Sequence, residues 1–191
     1  MKIIGVDYSM SSPGICIFDG DDFNIDNCRF VFIPKKKSQH IVTDKVKAVD
    51  VSLKDFLTPE ERYIFLKDMV LNECENVNHV GIEDYSYGSR GNTMLQIAEN
   101  CSILKHYLHI NKIDFIKIPP KTIKKFATKN GNANKEQMYY TFYEETKLDL
   151  HSLLETKDIK NMSPTSDIVD SYYVCKYVYY VDLEKNLIKI P

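Results

Sequence analysis

The chain has no apolar run near the ~18 residues needed to cross a bilayer, so no membrane partner is expected. Its five cysteines (Cys16, Cys28, Cys74, Cys101, Cys175) lie far apart with no CxxC pair, which argues against a zinc site or a disulfide framework. They read as reduced, mostly buried thiols. With an N-terminus patterned as a strand and not as a signal peptide, they point to the cytoplasm (the host's, were the chain viral). The five histidines (His40, His79, His106, His109, His151) show no ligand spacing. Positive charge is not in surplus either. The net charge is −2 and only Arg29, Arg62 and Arg90 are arginines, so any contact with phosphate must come from how charge is distributed.

What is present suits a soluble α/β protein. Hydrophobic residues make up 43% of the 191 positions and charged residues 27%, enough to bury a real core. No repeat or linker interrupts the chain, and one domain over 1–191 is expected. Three short apolar runs, at 2–7, 14–19 and 28–33, are joined by short links and predict an antiparallel meander. Residues 34–57 are polar, rich in lysine and without clear period. Thr58-Pro59-Glu60-Glu61 opens a helix running to about Asn76, with Ile64, Leu66, Met69, Val70 and Cys74 inward.

Strands at 80–83 and 113–118 follow, with an amphipathic helix at 93–109 between them. Further helices are predicted at 120–128, at 135–146 and from Ser163-Pro164 to about Val181, leaving 182–191 as a tail. The helix at 135–146 starts with Asn134 and Gln137 in capping-box spacing. Strands first, then alternation of helix and strand, predict a central mixed five-stranded sheet flanked by helices.

Charge is patterned along this frame. From Phe115 to Lys135 there are six lysines (Lys117, Lys121, Lys124, Lys125, Lys129, Lys135) and no acid, and Lys35-Lys36-Lys37 forms a second cluster. Either cluster could be a solvated face. Asp7 and Glu83 each end a short apolar strand, where an acid is often only a turn residue. Asp167 and Asp170 lie three apart near the start of the last helix, hence on one face. That helix is apolar nearly all round, through Ile168, Val169, Tyr172, Tyr173, Val174, Cys175, Tyr177 and Val178. Two carboxylates on such a helix require a counter-charge, and divalent cations are one natural partner. Clustered carboxylates suit Mg²⁺ or Mn²⁺, and two such ions can hold both oxygens of an in-line phosphoryl displacement.

Several segments resemble the RuvC family of Holliday-junction resolvases, within the RNase H-like superfamily. Ile3-Ile4-Gly5-Val6-Asp7-Tyr8-Ser9 is similar to its first strand and turn, and Val80-Gly81-Ile82-Glu83-Asp84-Tyr85 to its second acidic motif. Residues 93–108 resemble the helix that follows. Residues 119–126 and 131–138 resemble the basic segment, and Asp167-Ile168-Val169-Asp170-Ser171 the closing acidic pair. Order and spacing agree over most of the chain, outside 34–57 and the tail.

The resemblance implies an RNase H-like fold and a metal-dependent endonuclease that cleaves Holliday junctions, and other branched DNA such as forks and flaps. Hydrolysis would leave 5′-phosphate and 3′-hydroxyl ends. Asp7, Glu83, Asp167 and Asp170 would ligate two Mg²⁺ ions, with Mn²⁺ as substitute. Lys121, Lys124, Lys125 and Lys135 would contact DNA, as would Arg90 and the loop aromatics Tyr85 and Tyr87. The family's wedge aromatic aligns with Ser86 here, a departure that touches junction selectivity, and the compact, lysine-biased chain suits the phage-type members. A homodimer is implied, with the helix at 93–109 as its surface or, alternatively, as core.

Rival readings stay open at this level. They are a non-catalytic branched-DNA-binding protein, and another RNase H-like nuclease, either hybrid-cleaving or of the poxvirus resolvase type. An actin- or hexokinase-like phosphotransferase is disfavoured by the missing glycine-rich nucleotide segments and the short chain.

Overall fold

The computed structural model describes residues 1–52, 54–85, 92–156 and 162–188, with side chains to 181. The predicted meander is present as β1 (Lys2–Asp7), β2 (Gly14–Asp19) and β3 (Cys28–Phe32), paired antiparallel in sequence order. β5 (His79–Glu83) lies parallel to β1, and β6 (Phe115–Ile118) parallel to β5. The sheet has a sixth strand, β4 (Val46–Ala48), parallel to β3 at the far edge, so the order is β4-β3-β2-β1-β5-β6. Five strands were expected. The extra one lies inside the unreadable 34–57 stretch and is only three residues long, too short for alternation to show in the sequence.

Helix starts follow their capping chemistry. α1 (Pro59–Leu71) begins where the Thr58 hydroxyl accepts from the Glu61 amide, and α4 (Lys135–Thr146) where Asn134 and Gln137 complete a reciprocal box. α2 (Asn92–Ile110), α3 (Pro120–Thr128), a short α5 (Leu150–Leu153) and α6 (Thr165–Ile188) complete the set. α1 stops about one turn earlier than expected, and Ile64 faces outward at 48% exposure, while Leu66, Met69, Val70 and Cys74 are buried. α6 continues past Val181 into the segment read as a tail. Among the described residues, no helix is long and apolar enough to cross a membrane.

The strand period of two divides the core. Ile4, Val6, Ile15, Ile17, Val80 and Ile82 face α1 and α2, where Leu66, Val70, Leu104 and Leu108 meet them. Ile3, Cys16, Phe18, Phe30 and Phe32 face the other way, onto Ile123, Phe142, Tyr172 and Cys175 of α3, α4 and α6. On this second face, glycines make a seat for α6. A Cβ on Gly14 would lie 2.2 Å from the Asp167 carbonyl oxygen, and one on Gly5 2.3 Å from the Ser171 oxygen and the Cys175 nitrogen. A Cβ on Gly81 would lie 2.5 Å from Val178. α6 therefore crosses β2 and β1 with its backbone against the glycines and β5 through the Val174 and Val178 side chains, and its first turns are pinned over the C-terminal end of β1.

Candidate active site

Alternation along β1 and β5 aims the site. Ile3, Gly5 and Asp7 share the face that carries α6, and so do His79, Gly81 and Glu83 of the adjacent parallel strand. Asp7 and Glu83 sit one step beyond the last paired position, Val6 with Ile82. Asp170, one residue before the Ser171 carbonyl that rests over Gly5, completes the set. Carboxylate oxygens of Asp7, Glu83 and Asp170 all lie within 4.8 Å of one another, and each residue is partly buried. Three acids separated by up to 163 positions meet because three glycines let one helix approach the sheet.

Asp167 is next to this trio but differently engaged. It is 7% exposed, and its two oxygens accept from the Ser163 hydroxyl at 2.5 Å and the Ser166 hydroxyl at 3.2 Å. The Lys135 ammonium donates to Ser166 Oγ at 3.1 Å, so a short chain links Lys135 to Asp167. Asp84 is removed from the acid cluster by its ion pair with Lys117 at 3.3 Å.

The electrostatics are those of crowded negative charge. Burial, then the charges of Glu83, Asp167 and Asp170, pushes the Asp7 carboxyl well above the usual range, against a weaker pull from Lys135. Glu83 is raised to about 8, by burial first and then by Asp170. Asp170 is raised to about 7, by burial and then by Asp167. Lys124 and Lys135 lower both but do not balance them. A site made only of oxygen donors, with its anionic charge uncompensated, could hold a hard divalent cation.

The trio opens into a cleft of about 650 Å³, lined also by Lys124 and Lys135 on one side and Tyr85 beyond. Lys121 and Lys125 are not part of it. With Lys129, Phe126, Gly131 and Tyr177 they line a separate depression on the other side of α3. The basic segment is thus split by helix geometry, Lys124 toward the acids and Lys121 and Lys125 away from them. Tyr87 and Arg90 lie outside the described residues.

In the second lysine cluster, Lys35 donates to the Ser11 carbonyl at 2.9 Å and Lys36 to the Glu155 carbonyl at 2.8 Å. Burial lowers the Lys35 pKa, and the charges of Asp167 and Lys135 reach it. Three cleft residues gave no signal in the sequence: Arg62, Thr93 and Gln96. Arg62 stands among the acids of the first turn of α1 and reads there as solvated helix face.

The meander, the parallel β5 and β6, and a C-terminal helix bringing a carboxylate onto the ends of β1 and β5 define an RNase H-like α/β fold of RuvC type. Over its length the chain superposes on the Thermus thermophilus RuvC structure with a TM-score of 0.62, at 13% identity, covering 96% of this chain and 97% of that one. Against T. thermophilus RuvC in complex with a Holliday junction substrate the TM-score is 0.64, again at 13% identity, covering 96% of each chain.

Sequence similarity points the same way. The chain is 28% identical over 124 residues to a crossover junction endodeoxyribonuclease RuvC of Brachyspira hyodysenteriae, covering 62% of this chain and 74% of the relative. It is 25% identical over 142 residues to the RuvC of a Sulfurovum species, covering 73% and 77%. No protein-family model matches. In sequence and in fold the chain is thus similar to the RuvC resolvases.

Proposed function

We propose that this chain is a structure-specific endodeoxyribonuclease that hydrolyses phosphodiester bonds at Holliday junctions and other branched DNA, including forks and flaps. The observation that carries the reading is the meeting of Asp7, Glu83 and Asp170 in a cleft flanked by Lys124 and Lys135. Similarity to two crossover junction endodeoxyribonucleases supports the reaction class.

The carboxylates would hold two Mg²⁺ ions, replaceable by Mn²⁺, with Asp167 supporting them from beside Ser163 and Ser166. Bound there, the ions would supply an activated water and neutralise charge on the scissile phosphate. The protein's own part is positional. Lys124 and Lys135 orient the phosphate over the acids, and the cleft walls hold the flanking backbone in line. Cleavage leaves 5′-phosphate and 3′-hydroxyl ends. Outside the cleft, Lys121 and Lys125 hold a neighbouring stretch of backbone, and Tyr85, with Tyr87 and Arg90, meets the branch point.

Two linked cuts across a junction require two sites related by a two-fold axis, so the working form is a homodimer. Leu95 and Ile110 of α2 are 63% and 53% exposed, which supports α2 as the dimer surface. The reading places a single nuclease domain, 1–191, in the cytoplasm.

The test is incubation with labelled four-way junction, splayed-arm, linear duplex and RNA–DNA hybrid substrates in Mg²⁺, Mn²⁺ or EDTA, with Asp7→Asn as control. Paired, metal-dependent cuts near the branch point that vanish in the variant are expected. Binding without cutting in any metal would reduce the chain to a branched-DNA-binding protein, and cleavage of hybrid alone would make it a ribonuclease H.

A further inference from the structure

α3 has a second face that the acid cleft does not use. Lys121, Lys125 and Lys129 recur at helical spacing along it, and all three are exposed. Phe126 lies beside this row and Tyr177 of α6 closes the far side, leaving a depression of about 720 Å³. We propose that this depression is a single-strand site, in which the lysines hold phosphates and Phe126 and Tyr177 stack unpaired bases. The inference rests on the branched-DNA reading above for its substrate, the arm of a fork or flap that is left unpaired.

Three observations carry it. First, the charge here is of one sign and unpaired. No acid lines the depression, and among the described residues the side chains of Lys121, Lys125 and Lys129 make no ion pair or hydrogen bond. Lys117, Lys147 and Lys176, by contrast, each pair with an acid. A row of free ammonium groups suits a chain of phosphates.

Second, the tyrosines of α6 are of two kinds. Tyr172 and Tyr173 donate to Glu145 at 2.6 and 3.4 Å, and Tyr179 to the Asp21 carbonyl at 2.6 Å, which ties them into the core. Tyr177 and Tyr180 make no hydrogen bond among the described residues. They meet the Phe126 ring instead, at centroid distances of 5.4 and 6.2 Å, and Tyr180 is 43% exposed. Phe126 and Tyr177 also pack against the core, which fixes their rings beside the lysines. Fixed aromatic surface next to free positive charge is what single strands bind, because every base has a ring face. A duplex keeps its base faces covered and would use the lysines alone.

Third, the depression adjoins the acids. Lys124 faces the cleft and Lys125 the depression, so the two surfaces lie about 100° apart round one helix. A strand with one phosphate over the acids has only to cross α3, about 10 Å wide, to lay unpaired bases on Phe126 and Tyr177.

The experiment is binding in EDTA of a labelled oligo-dT of about 12 nucleotides, followed by fluorescence anisotropy. An abasic strand of the same length and a fully paired duplex are the comparisons. The wild type should bind oligo-dT about tenfold or more tighter than the abasic strand. Phe126→Leu and Tyr177→Leu should each remove most of that difference and leave duplex affinity unchanged. Tyr140→Leu, which alters an exposed ring on α4, should remove none of it. Lys129→Ala should weaken both single strands alike and lower the salt slope by about one.

Should either ring variant fail to fold, the wild type still decides. Oligo-dT carrying 5-iodouracil, irradiated on the wild-type protein, should form adducts at Phe126, Tyr177 or Tyr180 when peptides are mapped by mass spectrometry. Adducts confined to other residues, or equal affinity for oligo-dT and the abasic strand, would overturn the site. Displacement by polyglutamate as readily as by unlabelled oligo-dT would also overturn it, in favour of an acidic protein segment. None of these measurements needs cleavage. Failure here therefore leaves the nuclease reading intact, and a chain that binds as expected but cuts no branched DNA loses that reading and keeps the site.

Discussion

Gly5 and Gly81 are register partners in adjacent parallel strands, and neither has room for a methyl group beneath α6. The two are not equivalent. A Cβ on Gly5 would meet helix backbone at 2.3 Å, and one on Gly81 would meet the ends of the Val174 and Val178 side chains at 2.8 and 2.5 Å. Side chains rotate aside, whereas a helix backbone must move bodily.

Gly81→Ala is therefore expected to cost about 1–3 kcal/mol in urea unfolding, and Gly5→Ala more, since overpacking against backbone has no cheap relief. Gly5→Ala should also weaken divalent-cation binding, because displacing α6 carries Asp170 away from Asp7. A Gly5→Ala protein as stable as the parent would mean that the helix is not seated on this strand.

Relief of repulsion gives a second expectation. In the metal-free protein above about pH 8, where Glu83 and Asp170 have lost their protons, Asp7→Asn removes a carboxyl that burial and two charged neighbours within 4.8 Å make costly to ionise. Its melting temperature in EDTA should rise above the parent's, while cleavage falls by more than about 10²-fold, beyond the loss from an outer ligand-supporting group. Gain of stability with loss of activity in one variant separates a metal site from a merely structural acid cluster. Calorimetry and a junction-cleavage assay measure both.

Stability should also depend on pH in a stated direction. Glu83 releases its proton at about 8 in the fold against 4.5 ordinarily, and Asp170 at about 7 against 3.8. Between those values the native state binds more protons than the unfolded state, so stability falls as pH rises. In EDTA the melting temperature should decline from about pH 4 to about pH 8, with Asp7, also raised, adding to the decline. Saturating Mg²⁺ keeps the carboxylates ionised and should remove the decline. A flat EDTA profile would place these carboxyls in water.

The split in the basic segment predicts two kinds of lysine. Lys124→Ala and Lys135→Ala should slow single-turnover cleavage at saturating DNA by about 10²-fold, as expected for loss of a group stabilising charge on the reacting phosphate. Lys121→Ala and Lys125→Ala should leave that rate nearly unchanged and weaken binding. Each should lower the log–log salt slope of affinity by about one. Equal behaviour of all four would show that the helix does not divide them.

Much of this arrangement is legible in the sequence, for definite reasons. Asp7 and Glu83 end apolar runs whose period of two fixes which face they share, and the bounds of α3 and α4 follow from Pro120, Asn134 and Gln137. What stays hidden depends on contacts between distant segments. β4 is three residues of backbone pairing with β3 and has no period of its own. Ile64 follows the apolar pattern yet faces outward, because the pattern cannot say where the core ends. Arg62 and Gln96 sit on helices at positions that no motif or spacing marks in the sequence. Only the approach of α1 and α2 to the end of β1 puts them in the cleft wall.

Asp167 is the acid for which sequence and geometry diverge most usefully. Its spacing from Asp170 makes it an equal partner in the expected ligand set, but both its oxygens already accept hydroxyl hydrogen bonds, from Ser163 and Ser166. Each oxygen keeps a second lone pair, so Asp167 can ligate an ion only from the side that its serines leave open. Its charge also raises the pKa values of Asp7, Glu83 and Asp170, so it strengthens the field that attracts a cation.

Asp167→Asn is accordingly expected to reduce cleavage by about 10–100-fold, the range for a group supporting the ligands, and Asp170→Asn by more. Raised Mn²⁺ should restore much of the loss in Asp167→Asn and little in Asp170→Asn. Ser163→Ala, which frees one Asp167 oxygen, should change Mn²⁺ affinity without abolishing cleavage. If Asp167→Asn proves as inactive as Asp170→Asn at every Mn²⁺ concentration, Asp167 is a direct ligand and not a supporting group.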